Sequence, residues 1–121
     1  MKIRRSELVS FDFEGLRIAD YTAGKDVSSS VAEISVPPGV RHRTAWSKRS
    51  DKYYLMLEGS LDFVVDGEPV QLDGGDCCVI PRGTRFSYRN ASHETARVLL
   101  VHTPSFDLDA EVFEDDAGSE L

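Results

Sequence analysis

The residue types able to do chemistry in this sequence are few and scattered. Its histidines are His42, His93 and His102, and its cysteines are Cys77 and Cys78. Imidazole binds transition metals and exchanges protons near neutral pH. Each histidine stands alone, and a lone histidine is more often satisfied by hydrogen bonds than by a metal. His42 lies between Arg41 and Arg43, His93 sits in a solvated turn over Asn90–Glu94, and His102 ends an apolar run that shares a face with Val98 and Leu100. Neighbouring strand residues point to opposite faces, so Cys77 and Cys78 should not bridge one another and read as reduced, structural thiols. Tyr54, Tyr88 and His102 are the further candidates for proton transfer. No spacing ties them into a catalytic set.

The elements that must position these groups are short strands. β-rich runs occupy Leu16–Thr22, Val31–Val36, Val40–Trp46, Tyr53–Leu57, Leu61–Val65, Pro69–Leu72, Cys77–Ile80, Thr84–Tyr88 and Ala96–His102. Turn residues separate them: Pro37-Pro38-Gly39, Glu58-Gly59, Asp66-Gly67, Asp73-Gly74-Gly75 and Pro81-Arg82-Gly83. Glycine supplies the positive φ that tight hairpins require. Alternation assigns faces: Leu61, Phe63 and Val65 oppose Asp62 and Asp66, and Phe86 and Tyr88 oppose Arg85 and Arg89. The run Val98–Val101 is apolar on both faces, which suits a strand covered on both sides. No helical periodicity of useful length is present. Many short alternating strands imply two facing sheets or a closed barrel.

The chain has 121 residues, which fits one domain. No run approaches the ~20 apolar residues of a membrane span, and no apolar stretch follows the basic start Met1–Ser6, so the expected compartment is the cytoplasm. All 14 Lys and Arg, and 14 of the 21 Asp and Glu, lie before residue 106, so that body is neutral. The whole net charge of −7 comes from Asp107, Asp109, Glu111, Glu114, Asp115, Asp116 and Glu120. Residues 106–121 therefore read as a solvated, partly disordered acidic tail on a domain spanning 1–105. No basic face dominates, so neither nucleic acid nor a membrane is an expected partner.

Two stretches carry a resemblance. Gly75 to Asn90 is similar to the second cupin motif, G-x5-P-x-G-x2-H-x3-N, and matches at Gly75, Pro81, Gly83 and Asn90, with Phe86 at the histidine. Gly39 to Gly59 resembles the first motif, G-x5-H-x-H-x4-E-x6-G, in length and at both glycines, but its ligand positions hold Ala45, Ser47 and Lys52. The segment Tyr53–Gly59 followed by Asp66-Gly67 looks like the hairpin of small single-domain cupins. The resemblance covers residues 30–105. It implies an all-β jelly-roll, a double-stranded β-helix barrel of two facing antiparallel sheets. It also implies that the three imidazoles and one carboxylate of the family's metal site are all replaced. Alanine and phenylalanine offer no donor, serine is a poor neutral ligand and an ammonium repels a divalent ion. No metal or other cofactor is expected.

If the barrel is built as the resemblance implies, Ala45, Ser47, Lys52, Tyr54, Met56, Phe86 and Tyr88 face its interior, with His102 and Trp46 at the rim. Apolar walls with a few placed polar groups suit a small molecule; simple filling of the barrel by these side chains is the plainer alternative. Buried among aromatics, Lys52 would tend to lose its proton and act as a base or Schiff-base amine; still charged, it would hold a carboxylate or phosphate. The leading expectation is a metal-independent protein that binds a small polar or anionic metabolite. The alternative is an isomerase, epimerase or cyclase using Lys52, Tyr54 and His102, and behind these stand an interaction module and a metal-dependent dioxygenase. The resemblance also implies a homodimer paired through outer or N-terminal strands, with Met1–Gly15 as a docked or exchanged arm.

Overall fold

The computed structural model describes residues 1–115. Eleven strands follow in order: β1 Phe11–Phe13, β2 Leu16–Asp20, β3 Ser30–Val36, β4 Arg41–Ser47, β5 Asp51–Glu58, β6 Ser60–Val65, β7 Glu68–Asp73, β8 Cys77–Ile80, β9 Phe86–Arg89, β10 Ala96–Thr103 and β11 Glu111–Phe113. Single 3₁₀ turns cover Arg5–Glu7 and Leu108–Ala110. One sheet runs β1-β2-β3-β10-β5-β8 and the other β11-β4-β9-β6-β7. Every pairing is antiparallel. The chain thus has the two facing sheets that the strand pattern implied, in the jelly-roll arrangement that the resemblance implied.

Alternation builds the core. In β10 the residues alternate between buried and half-buried along the whole strand. Its inner residues Val98 and Leu100 join Tyr54, Met56, Leu61, Phe63, Phe86 and Tyr88 in one apolar cluster. Its outer residues Leu99 and Val101 are only half-buried, so the strand is fully covered on one side. Rings meet across the two sheets: Tyr54 lies 5.2 Å from Phe63 and 5.6 Å from Tyr88 between centroids. Contacts at such distances add about 0.5–1.5 kcal/mol each beyond area burial.

The motif residues that match are structural pins. Gly59 turns β5 into β6 at φ +82°, and a Cβ there would meet the Ala96 Cα at 3.1 Å. Asp66 and Gly67, both at positive φ, close the two-residue hairpin between β6 and β7. Buried Asn90 donates to the carbonyls of Val36 at 2.8 Å and Glu94 at 2.7 Å, and accepts from the Ser92 amide and hydroxyl.

The ends of the described chain depart from the sequence-based picture. β1 pairs with β2, so the N-terminal arm docks on its own sheet. Residues 106–115 are not a solvated tail. β11 pairs with β4, Phe106 donates its amide to the Ser30 hydroxyl, and Glu114 binds Arg85. Composition concealed this because the acids at 111 and 114 are neutralised by cations from the body. Residues 116–121 lie outside the described residues. Among the described residues no helix is long and apolar enough to cross a membrane.

Candidate active site

Three strands carry the polar floor of the barrel. In β5 the period of two turns Lys52, Tyr54 and Met56 inward, and all three are buried. In β10 His102 pairs directly with Lys52, and Leu100 with Tyr54. β11 sets Glu111 opposite Ser47 and Phe113 opposite Ala45 on β4. These placements bring the Lys52 Nζ to Glu111 Oε1, where the ammonium donates to the carboxylate. The two side chains are 5% and 2% exposed, so water barely screens the pair. The Nζ also lies 5.1 Å from the centre of the Phe86 ring, a cation–π contact.

A bulge adds a fourth group. β4 and β9 pair His42 with Tyr88 but Ala45 with Phe86, so three steps on one strand match two on the other. The extra residue lets His42 and Ala45 share the inner face, which a regular strand forbids. The His42 ring packs 5.2 Å from Phe86, 5.1 Å from Tyr88 and 6.0 Å from Phe113. Its Nδ1 lies 2.6 Å from the Arg43 carbonyl. A carbonyl only accepts, so Nδ1 carries the proton and Nε2 is left as an acceptor.

Burial governs the charge state of the site. It pulls His42 down to about 4, against the hydrogen bond to the Arg43 carbonyl. It pulls His102 down to about 3, helped by the Lys52 charge. Both imidazoles are neutral at pH 7. Burial also lowers Lys52, and the Glu111 charge and hydrogen bond only partly offset it. The Tyr54 and Tyr88 phenols are raised by burial and stay protonated. Two buried polar atoms of the floor, Glu111 Oε2 and His102 Nε2, have no hydrogen-bond partner among the described residues. Such groups favour a polar occupant.

Above the floor lies a cavity of about 280 Å³. Lys52, Tyr54, His102, His42 and Glu111 line its polar end, while Phe11, Phe13, Phe106 and Phe113 form much of its apolar wall. The volume falls near the lower end of small-molecule sites, ~300 Å³.

Of the residues singled out in the sequence, Lys52, Tyr54 and His102 share this one cavity. Ala45, Met56, Phe86 and Tyr88 are buried and packed beneath it rather than lining it. Ser47 is consumed by a turn: its hydroxyl accepts from the amides of Arg49 at 3.2 Å and Ser50 at 2.9 Å. Trp46 is neither inside nor at the cavity mouth. It stands between the inward Ala45 and Ser47 and so faces outward, half-buried. His102 is buried within the cavity wall rather than at its rim, with its ring 5.2 Å from Phe106. Two basic side chains of the neighbouring segment are engaged elsewhere: Arg43 binds Glu14 at 2.5 Å, and Arg49 binds the Ser105 carbonyl. Sequence reasoning missed His42, Glu111 and the phenylalanine wall. The isolated Glu111-Val112-Phe113 alternation was the one local signal for the last strand.

A family-type metal does not fit. Ala45 and Phe86 supply no donor, the Ser47 oxygen is occupied, and the ammonium of Lys52 holds the positive charge itself. Among the described residues no group of three or more His, Cys, Asp or Glu could hold an ion.

Residues 32–102 match the model of the cupin domain family. The chain is 29% identical over 114 residues to endoribonuclease YbeY of Myxococcus xanthus, covering 88% of this chain and 36% of that protein. It is 32% identical over 77 residues to the tetracenomycin polyketide synthase protein TcmJ of Streptomyces glaucescens, covering 64% of this chain and 52% of that one. The chain thus spans about a third to a half of these relatives. Among solved structures it superposes on Pac13 of Streptomyces, a nucleoside dehydratase also solved with uridine, at a TM-score of 0.82 and 24% identity, covering 94% of this chain and 90% of that one.

Proposed function

We propose that this protein, which belongs to the cupin family, takes a small neutral polar metabolite into its barrel and acts on it by proton transfer without a metal. The observation that carries the reading is the buried Lys52–Glu111 pair, whose lysine occupies a ligand position of the first motif and whose Glu111 Oε2 has no partner among the described residues at the cavity. A neutral ligand is favoured over an anionic one because Lys52 already has its anion. Bringing a second negative charge into a dry site beside Glu111 is strongly opposed. The phenylalanine wall suits a flat ring, and Pac13, solved with uridine, supports a nucleoside-sized ligand.

The roles follow from protonation. Lys52 and Glu111 share a proton and move it to or from the ligand. The neutral His42, with its free acceptor Nε2, is a second base. His102 Nε2 and the Tyr54 phenol orient hydroxyl or carbonyl groups. Isomerisation, epimerisation and loss of water all need only such an acid–base set.

Titration calorimetry with uridine, other nucleosides and free pentoses tests this, on protein treated with a chelator. The expected result is saturable binding unchanged by the chelator, with exchange of a ligand C–H in D₂O seen by NMR. Binding or turnover that returns only with stoichiometric added metal overturns the reading.

The same proposal includes a homodimer in a reducing cytoplasm. Leu55 and Val79, exposed on adjoining strands β5 and β8, support the first, and two free cysteines support the second. Sedimentation equilibrium is expected to give twice the chain mass; a single-chain mass up to high micromolar concentration contradicts it.

A further inference from the structure

We propose that Lys52 forms a reversible imine with an aldehyde or ketone, so that the ligand of the barrel is a carbonyl compound. This rests on the reading of the cavity as a metal-free reaction site and specifies its substrate class.

The geometry divides the work between two oxygens of one carboxylate. Oε1 of Glu111 holds the Lys52 nitrogen, and Oε2, buried and without a partner, is free to carry a proton. Both residues line the cavity. In so dry a place the ion pair and the uncharged amine–acid pair lie close in free energy, because separated charges lose their hydration. Burial, which lowers Lys52 despite its partner, acts in the same direction.

The step balances within the site. Lys52 gives one proton to Glu111, and its lone pair forms a bond to the carbonyl carbon as the C=O π pair moves to oxygen. That oxygen takes the proton from Glu111, and a second proton from nitrogen reaches it through the same carboxylate. The C–O bond then breaks, water leaves, and the nitrogen lone pair completes the C=N bond. Overall one ammonium and one carbonyl become one iminium and one water. Nothing is oxidised, and Glu111 ends as it began.

Charge separates this ligand class from an anion. The site holds one positive and one negative charge before the reaction and the same after it. A carbonyl therefore uses the amine without breaking the pair. His102, paired with Lys52 across β5 and β10 and carrying an unpartnered Nε2, is placed to bind the departing water. The other lysines of the chain, Lys2, Lys25 and Lys48, are exposed, and none of them lines the cavity.

The test is reductive trapping. The intact protein is incubated with glycolaldehyde or hydroxyacetone and sodium cyanoborohydride at pH 7, and adducts are mapped by peptide mass spectrometry. The expected result is one adduct per chain on Lys52, formed about tenfold faster than on Lys2, Lys25 or Lys48. Glu111→Gln, shown to be folded by its circular dichroism, is expected to slow labelling of residue 52 by about tenfold or more. Uridine binding is measured on the same preparation without reductant. Equal labelling of the four lysines, or Lys52 spared in protein that binds uridine, overturns the imine and leaves the proton-transfer reading standing. Lys52 spared in protein that binds no probe overturns both.

Discussion

At the scale of single residues, the Lys52–Glu111 pair decides both stability and chemistry. Each partner satisfies a charge that could not otherwise remain buried. Removing one should therefore hurt more than removing both. Lys52→Met and Glu111→Leu are each expected to lower stability by about 3–5 kcal/mol, and the double variant by clearly less than their sum. Urea denaturation of the four proteins measures this; additive losses would show that the pair is not coupled. Lys52, Tyr54 and His102 were legible because motif spacing and strand alternation fix their faces. His42 was not, because the bulge in β4 breaks the alternation on which such reasoning depends. Glu111 was not, because seven acids with no neighbouring base read as a solvated end.

At the scale of elements, the nine strands from β2 to β10 were all readable, since each runs four residues or more with clear turns between. The three-residue β1 and β11 are too short for alternation to register, yet they supply Phe11, Phe13, Glu111 and Phe113 to the cavity. Deleting residues 106–121 should leave the other ten strands paired while stripping Lys52 of its anion and the cavity of one wall. The expected outcome is retained β-sheet circular dichroism, a lower melting temperature and loss of ligand binding. Unchanged binding would show that β11 has no part in the site. The contact of Phe13 with Phe113, 5.4 Å between centroids, joins the two short strands across the cavity. Phe113→Ala is expected to weaken ligand binding and to cost about 3 kcal/mol of stability at most, since its ring is only partly buried.

At the scale of the whole molecule, the buried neutral imidazoles set an acid limit. The unfolded chain protonates His42 and His102 near pH 6.5, whereas the folded chain does so only near 4 and 3. Between those values the unfolded state binds more protons, so stability is full above about pH 6.5 and falls as the pH drops through the window. The loss should be on the order of 1–3 kcal/mol per histidine. Urea midpoints from pH 7.5 to 4 check it, and substituting His102 with glutamine should flatten the slope. A flat profile in the native chain would mean that the imidazoles are already charged or exposed.

The pairing of Lys52 with Glu111 also bears on which neighbouring sequences the barrel can tolerate. Exchanging Lys52 for glutamate alone would press two carboxylates together in a dry interior, with nothing positive between them. Placing imidazoles first at Ala45, Ser47 and Phe86 would surround an ammonium that turns any arriving ion away. Either order of substitution passes through an interior with unbalanced charge, so the strand bearing Glu111, closed over the lysine, keeps single substitutions from building an ion site here.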